Sequence, residues 1–157
     1  MDEKTMKLAQ RTYGTLKQAI TDRGWTCQAN DEEMSVDFGV TGDDVKMLFS
    51  LVVDADLQLV LLYSPLPFNM SEESITMGAV ALCYINNRLP DGNFDLDLGT
   101  GRICFRQSLT FRESIIGPQA FQYMLDCATY IVDEFNDKLL MLSKGAISFE
   151  DFMASME

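Results

Sequence analysis

Near the start of the chain, apolar residues recur in steps of three and four: Met6, Ala9, Tyr13, Leu16 and Ile20 fall on one stripe. That spacing predicts a helix ending at Arg23-Gly24, with Gly24 as a left-handed cap. Trp25, just past the cap, is expected to anchor this helix to the core. The period then shortens to two. Met34, Val36, Phe38 and Val40 alternate with Ser35, Asp37 and Gly39, which predicts a half-buried strand. Thr41-Gly42-Asp43 reads as a turn, and a longer strand is expected from about Asp44 to Asp54. Val45, Met47, Phe49, Leu51 and Val53 share one face of that strand. Leu48 and Val52 interrupt the polar set opposite, so it reads as covered on part of both faces. Leu57 to Tyr63 completes a three-stranded antiparallel meander. Ser64-Pro65-Leu66-Pro67-Phe68 is expected to leave the ladder, because proline has no amide donor and restricts its predecessor.

Ser71 reads as the N-cap of a second helix, with Glu72 and Glu73 in its first turn and Gly78 marking close packing. Asn86-Asn87 through Pro90-Asp91-Gly92 stops it. A hairpin follows, Asn93 to Leu98 against Gly101 to Arg106 around a Gly99-Thr100 turn of type II′. Its register sets Asp97 against Arg102, Leu96 against Ile103 and Phe94 against Phe105, which sorts charged and apolar pairs onto opposite faces. After Gly117-Pro118, the stripe from Phe121 through Met124, Leu125, Ala128, Ile131 and Phe135 to Leu142 predicts a helix of about six turns. Tyr123, Cys127, Tyr130 and Met141 widen its apolar surface beyond what one sheet face needs, which suits a contact with another chain. Gly145 breaks this helix, and Ser148-Phe149-Glu150-Asp151 opens a short terminal one. The order is α-β-β-β-α-β-β-α plus a short C-terminal helix. This is an α+β class, helices on an antiparallel sheet, in one domain over residues 1–157.

Charge and composition narrow the function. Among 157 residues, 12 Lys and Arg stand against 24 Asp and Glu, a formal charge of −12 that repels nucleic acid and anionic membrane. There is no histidine, which removes the common general base, Ser-His and Cys-His nucleophile pairs and imidazole zinc sites. Carboxylate, lysine and tyrosine chemistry survive that exclusion. The four cysteines, Cys27, Cys83, Cys104 and Cys127, are too widely spaced for a C-x-x-C pair and read as buried or half-buried free thiols. The N-terminus lacks a signal-peptide pattern and no apolar run could span a bilayer, so a cytoplasmic location is expected. Asp91-Gly92-Asn93-Phe94-Asp95-Leu96-Asp97 begins like a calcium loop. It fails at the sixth and twelfth places, where Leu96 and Arg102 replace Gly and Glu, so no metal and no cofactor is expected. Asp54 and Asp56 flank a turn that explains them without catalysis. Neither a Walker motif nor G-x-S-x-G occurs. Ten methionines, with Met70, Met153 and Met156 near a loop or the tail, suit surfaces that re-pack around partners.

The Asn86-Asn87 helix end, the strand Gly92-Asn93-Phe94-Asp95-Leu96-Asp97, the following Gly101-Arg102-Ile103-Cys104-Phe105-Arg106 and the long acidic helix together resemble a YbjN-type domain. That fold is similar to class I type III secretion chaperones. Gly145 with Ser148-Phe149-Glu150-Asp151 resembles the terminal segment of the same family. The resemblance implies an acidic, cytoplasmic, often dimeric regulator of sensory transduction, without catalytic residues to transfer. Chaperones of this fold hold extended partner segments against apolar patches and sheet edges, a mode in which main-chain bonds give affinity. The expected function is therefore a non-enzymatic protein-binding module, a chaperone-like adaptor or regulator, acting as a homodimer with a protein partner. Tyr123, Tyr130, Phe149, Phe152, Met153 and Met156 are its candidate contact residues. Two alternatives stay open: a small-ligand sensor with a pocket between sheet and helices, and a hydrolase using Asp or Glu.

Overall fold

The computed structural model describes residues 2–43 and 45–156. Helix α1 spans Glu3–Asp22 and is capped by Asp2, whose carboxylate accepts from the Thr5 amide at 2.7 Å. Gly24 follows at φ +70°, the left-handed residue that ends the helix as expected. Trp25 then packs on Phe38 with ring centroids 5.2 Å apart, beneath the Arg23 guanidinium at 4.9 Å.

Among the described residues six strands form one antiparallel sheet: β1 Cys27–Asn30, β2 Ser35–Thr41, β3 Lys46–Asp54, β4 Leu59–Asn69, β5 Asn93–Leu96 and β6 Arg102–Thr110. Their spatial order is β1-β2-β3-β4-β6-β5. Helix α2, Ile75–Asn86, connects β4 to β5, and α3, Pro118–Ser143, and α4, Phe149–Ala154, close the chain. The α+β class is therefore the expected one, with β1 added at an edge. The even-numbered residues of β2 and β4 and the odd-numbered residues of β3 and β6 face the helices, and Val36, Phe49, Leu62 and Phe105 there are buried. Phe111, Phe121 and Phe152 lie wholly inside the same apolar cluster.

Several local expectations are corrected. Cys27–Asn30 is a strand because it pairs with β2, from Cys27 on Phe38 to Asn30 on Ser35, not because of any alternation of its own. Met34 lies outside β2, at φ +48° in the turn that leads into it. Asp44, the expected start of the next strand, lies outside the described residues. The Pro65–Phe68 stretch stays in the ladder instead of leaving it, and β4 runs through both prolines to Asn69. Pairing with β3 ends at Ser50–Tyr63, so beyond it β4 has one unpaired side, where a missing amide is tolerated. A register shift between Pro65 and Asn69 takes up the remaining irregularity against β6.

The β5–β6 register is as expected, Phe94 on Phe105 and Leu96 on Ile103. Its turn is different. The positive-φ glycine is Gly101, not Gly99, and the Gly101 amide bonds the Asp97 carbonyl at 2.7 Å. The Asp97 carboxylate accepts from Gly99 and Thr100 amides, and a Cβ on Gly101 would lie 2.0 Å from the Met70 carbonyl oxygen. Helix α2 starts at Ile75 behind Ser74, because Ser71 and Ser74 bond each other across a preceding turn. Gly78 meets Met70 closely, and Ser148 caps α4, both as expected.

Candidate functional site

With all four helices accounted for on one face of the sheet, the other face carries Leu48, Ser50 and Val52 of β3, Leu61, Tyr63 and Pro65 of β4, and Cys104 of β6. Leu48 is 54% exposed. The apolar interruptions on β3 therefore do not report a second covering layer; they belong to an open surface. Its charges nearly balance. Asp37, Asp54, Asp95 and Asp97 stand against Lys46, Arg102 and Arg106, a net of −1, so almost all of the chain's −12 resides elsewhere.

A groove of about 430 Å³ crosses this face from β1 to β4, lined by Gln28, Asp37, Gly39, Leu48, Ser50 and Pro65. Register makes it. Gly39 lies opposite Leu48 and brings no side chain of its own, so the Leu48 and Lys46 side chains bound the groove there. The Arg106 guanidinium bonds the Asp95 carboxylate at 2.8 Å on the far side of the same face, which pushes the Arg106 pKa up. Cys104 is half-buried, and burial pushes its thiol pKa up, so it is a poor nucleophile.

The two sheet edges differ. On β5, the Asn86 side chain donates to the Phe94 carbonyl at 2.9 Å and accepts from the Phe94 amide at 2.8 Å. An amide side chain thus occupies the middle of that edge as a neighbouring strand would. On β1, among the described residues, only β2 bonds the backbone of Cys27–Asn30, and its outer edge is bare.

The six candidate contact residues separate. Tyr123 and Tyr130 lie two turns apart on α3, 51% and 70% exposed, with half-buried Cys127 between them. Beside them a groove of about 310 Å³ is lined by Leu89, Pro90, Cys127, Tyr130 and Phe135. Phe149, Met153 and Met156 are half-buried against the core, and Phe152 is inside it. Sequence reasoning found the α3 strip from its excess apolar width but missed the sheet groove. Gly39 in mid-strand and Leu48 on the polar side were its signals.

The acidic residues weighed for chemistry have structural work. Asp91 accepts from the buried Gln107 amide at 2.6 Å, Asp54 accepts from the Leu57 amide at 2.8 Å, and Asp97 holds its turn. The amides of Gly99 and Thr100 hold the Asp97 carboxyl below the usual range, and the Lys17 ammonium does the same for Asp31. General acids need the opposite shift. The core fills most of the space between sheet and helices, and a cleft of about 430 Å³ remains at its margin, between Val40, Thr41 and Met47 on the sheet side and Asp126, Tyr130 and Asp133 of α3.

The family model YbjN, described as "Putative bacterial sensory transduction regulator", matches residues 12–141. The crystal structure of YbjN from E. coli shares the fold at a TM-score of 0.57 and 14% identity, over 79% of this chain and 90% of that one. A chain of the ExsC–ExsE complex matches at 0.57 and 17% identity, over 88% and 97%. A chain of the HopA1–SchA chaperone–effector complex matches at 0.50 and 15%, over 87% and 98%. No curated protein matches the sequence.

Proposed function

The chain belongs to the YbjN family, and from that premise we propose that it is a non-enzymatic protein-binding module, a chaperone-like adaptor or regulator. The observation that carries this reading is the open sheet face: apolar along Leu48, Val52, Leu61 and Pro65 and close to neutral on a chain of net charge −12. Two structures that share its fold are complexes, one of a chaperone with its effector, and they support binding of another polypeptide. The module works in the cytoplasm as a homodimer. The α3 strip of Tyr123 and Tyr130 is the second contact surface, the half-buried Phe149, Met153 and Met156 of the tail supply further contacts, and Phe152 anchors the tail from inside. Affinity capture from native lysate, with light scattering of the purified protein, tests the reading. A dimer and a reproducible partner are expected, with Tyr130→Glu weakening self-association. A strict monomer that captures nothing specific overturns it.

A small-molecule role has one observation in its favour: the 430 Å³ sheet groove falls in the size range of ligand pockets. A metabolite thermal-shift screen distinguishes it, because a saturating small ligand raises the melting temperature without any polypeptide partner.

A further inference from the structure

Three cations of this chain are each held between a carboxylate and an aromatic ring. Lys17 bonds Asp31 at 2.7 Å and lies 4.4 Å from the centre of the Tyr13 ring. Arg23 bonds Asp126 at 2.6 Å and lies 4.9 Å from the Trp25 ring, and Lys138 bonds Glu134 beside Phe135. In each case the ion pair and the ring attract the same charge. A fourth set of these parts has no cation. Tyr130 and Asp133 are neighbours on one face of α3, and with Asp126 and with Asp43 of the β2–β3 turn they line the cleft of about 430 Å³ beside that helix. Among the described residues no Lys or Arg lines it, and no ion pair uses Asp43 or Asp133. Asp133 is held in place: its Oδ1 accepts from the Asp43 amide at 3.2 Å, and a Cβ on Gly42 would lie 1.8 Å from that oxygen. Tyr130 is exposed, and its ring is also a wall of the smaller groove that Leu89, Pro90 and Phe135 line.

Resting on the protein-binding reading, we propose that α3 receives a partner segment that seats an arginine between Tyr130 and Asp133 and lays a large apolar side chain against the other flank of Tyr130. The charge is positive because the cleft carries three carboxylates and no base. It is arginine because a planar guanidinium stacks on a ring and bonds a carboxylate with the same group, which the compact lysine ammonium does less well. The occupant is a polypeptide because Tyr130 divides an acidic cleft from an apolar groove, and a free amine fills only the first. A second copy of this chain brings acids of its own to the same place, so a basic segment gains where self-pairing loses, and the two compete for Tyr130.

The test uses the full chain at low salt and capped peptides of Ala and Ser that carry one Arg and one Leu at varied separation. Control peptides replace the Arg by citrulline, which keeps the shape and removes the charge, or the Leu by Ala, and the protein variants are Asp133→Asn and Tyr130→Leu. At least one separation is expected to bind and to shift the amide NMR signals of residues 129–134 and of the β2–β3 turn. Citrulline and Asp133→Asn should each weaken binding about tenfold or more, and Leu→Ala in the peptide and Tyr130→Leu severalfold. Asp133→Asn keeps an oxygen for the Asp43 amide, so its melting temperature should not fall, which separates lost binding from lost folding. Equal binding of the Arg and citrulline peptides, indifference to Leu→Ala, unchanged binding to Asp133→Asn, no binding at any separation, or shifts confined to the open sheet face each overturns the proposal. The wider reading falls only if the lysate capture and light scattering also fail, so the two failures are distinguishable.

Discussion

Asn136, on the inner face of α3, is fully buried and, among the described residues, neither end of its amide has a hydrogen-bond partner. Leaving such a group unsatisfied costs about 1–3 kcal/mol, so Asn136→Leu, close in volume, should raise stability by an amount of that order, read as a melting temperature several degrees higher. Asn86 is the opposite case. Both ends of its amide are used on Phe94, and Asn86→Ala should lower stability by about 1–3 kcal/mol in urea unfolding and speed amide exchange at Phe94. Tyr13 sets a pH dependence. Its hydroxyl donates to the Ser35 carbonyl at 3.1 Å, and burial, with the nearby Asp31 carboxylate, pushes its pKa up to about 12. An unfolded tyrosine ionises near pH 10. The raised value means that the folded state holds its proton longer, so this stabilisation is complete below about pH 10 and disappears as the pH climbs through about 12. Urea midpoints of the wild type should fall more steeply over that window than those of Tyr13→Phe.

At the scale of elements, α4 depends on a cap and one anchor. Ser148→Ala removes the side-chain bond to the Asp151 amide and should cost about 1 kcal/mol. Phe152→Ala should cost about 3–5 kcal/mol and release the tail to proteolysis. The cap was legible because a Ser followed by two acids is a local signal, whereas Phe152, expected among the contact residues, is wholly buried because α4 folds back onto α2 and α3. The β5–β6 register was legible from local signals too: only one alignment pairs Phe94 with Phe105 and keeps Asp97 and Arg102 outside. Strand β1 was not, because Cys27–Asn30 is polar, short and exposed along its length, and owes its form to pairing with β2. The prolines of β4 misled for a related reason: their cost depends on where the ladder to β3 stops, which no neighbouring residue encodes. The groove stayed hidden because Gly39, Leu48 and Pro65 are distant in sequence and meet only through register, whereas Tyr123 and Tyr130 lie on one helix face at a spacing that can be counted.

Over the whole molecule, charge is segregated: the open sheet face is close to neutral and the remainder carries almost all of the net −12. Self-repulsion of that remainder is screened by salt, so raising ionic strength from about 20 mM to about 0.5 M should raise the melting temperature and tighten any pairing of two copies through α3. Affinity of the arginine peptide for the cleft beside α3 should fall over the same range, and titrations at both salt concentrations check the contrast. The plug that Asn86 provides has a further consequence for assembly. Polymerisation by sheet growth needs two live ends on every unit, one to receive and one to offer. This molecule has a terminator where the second should be, so edge-to-edge growth halts after a single addition, and fibrils that propagate head to tail have nowhere to start.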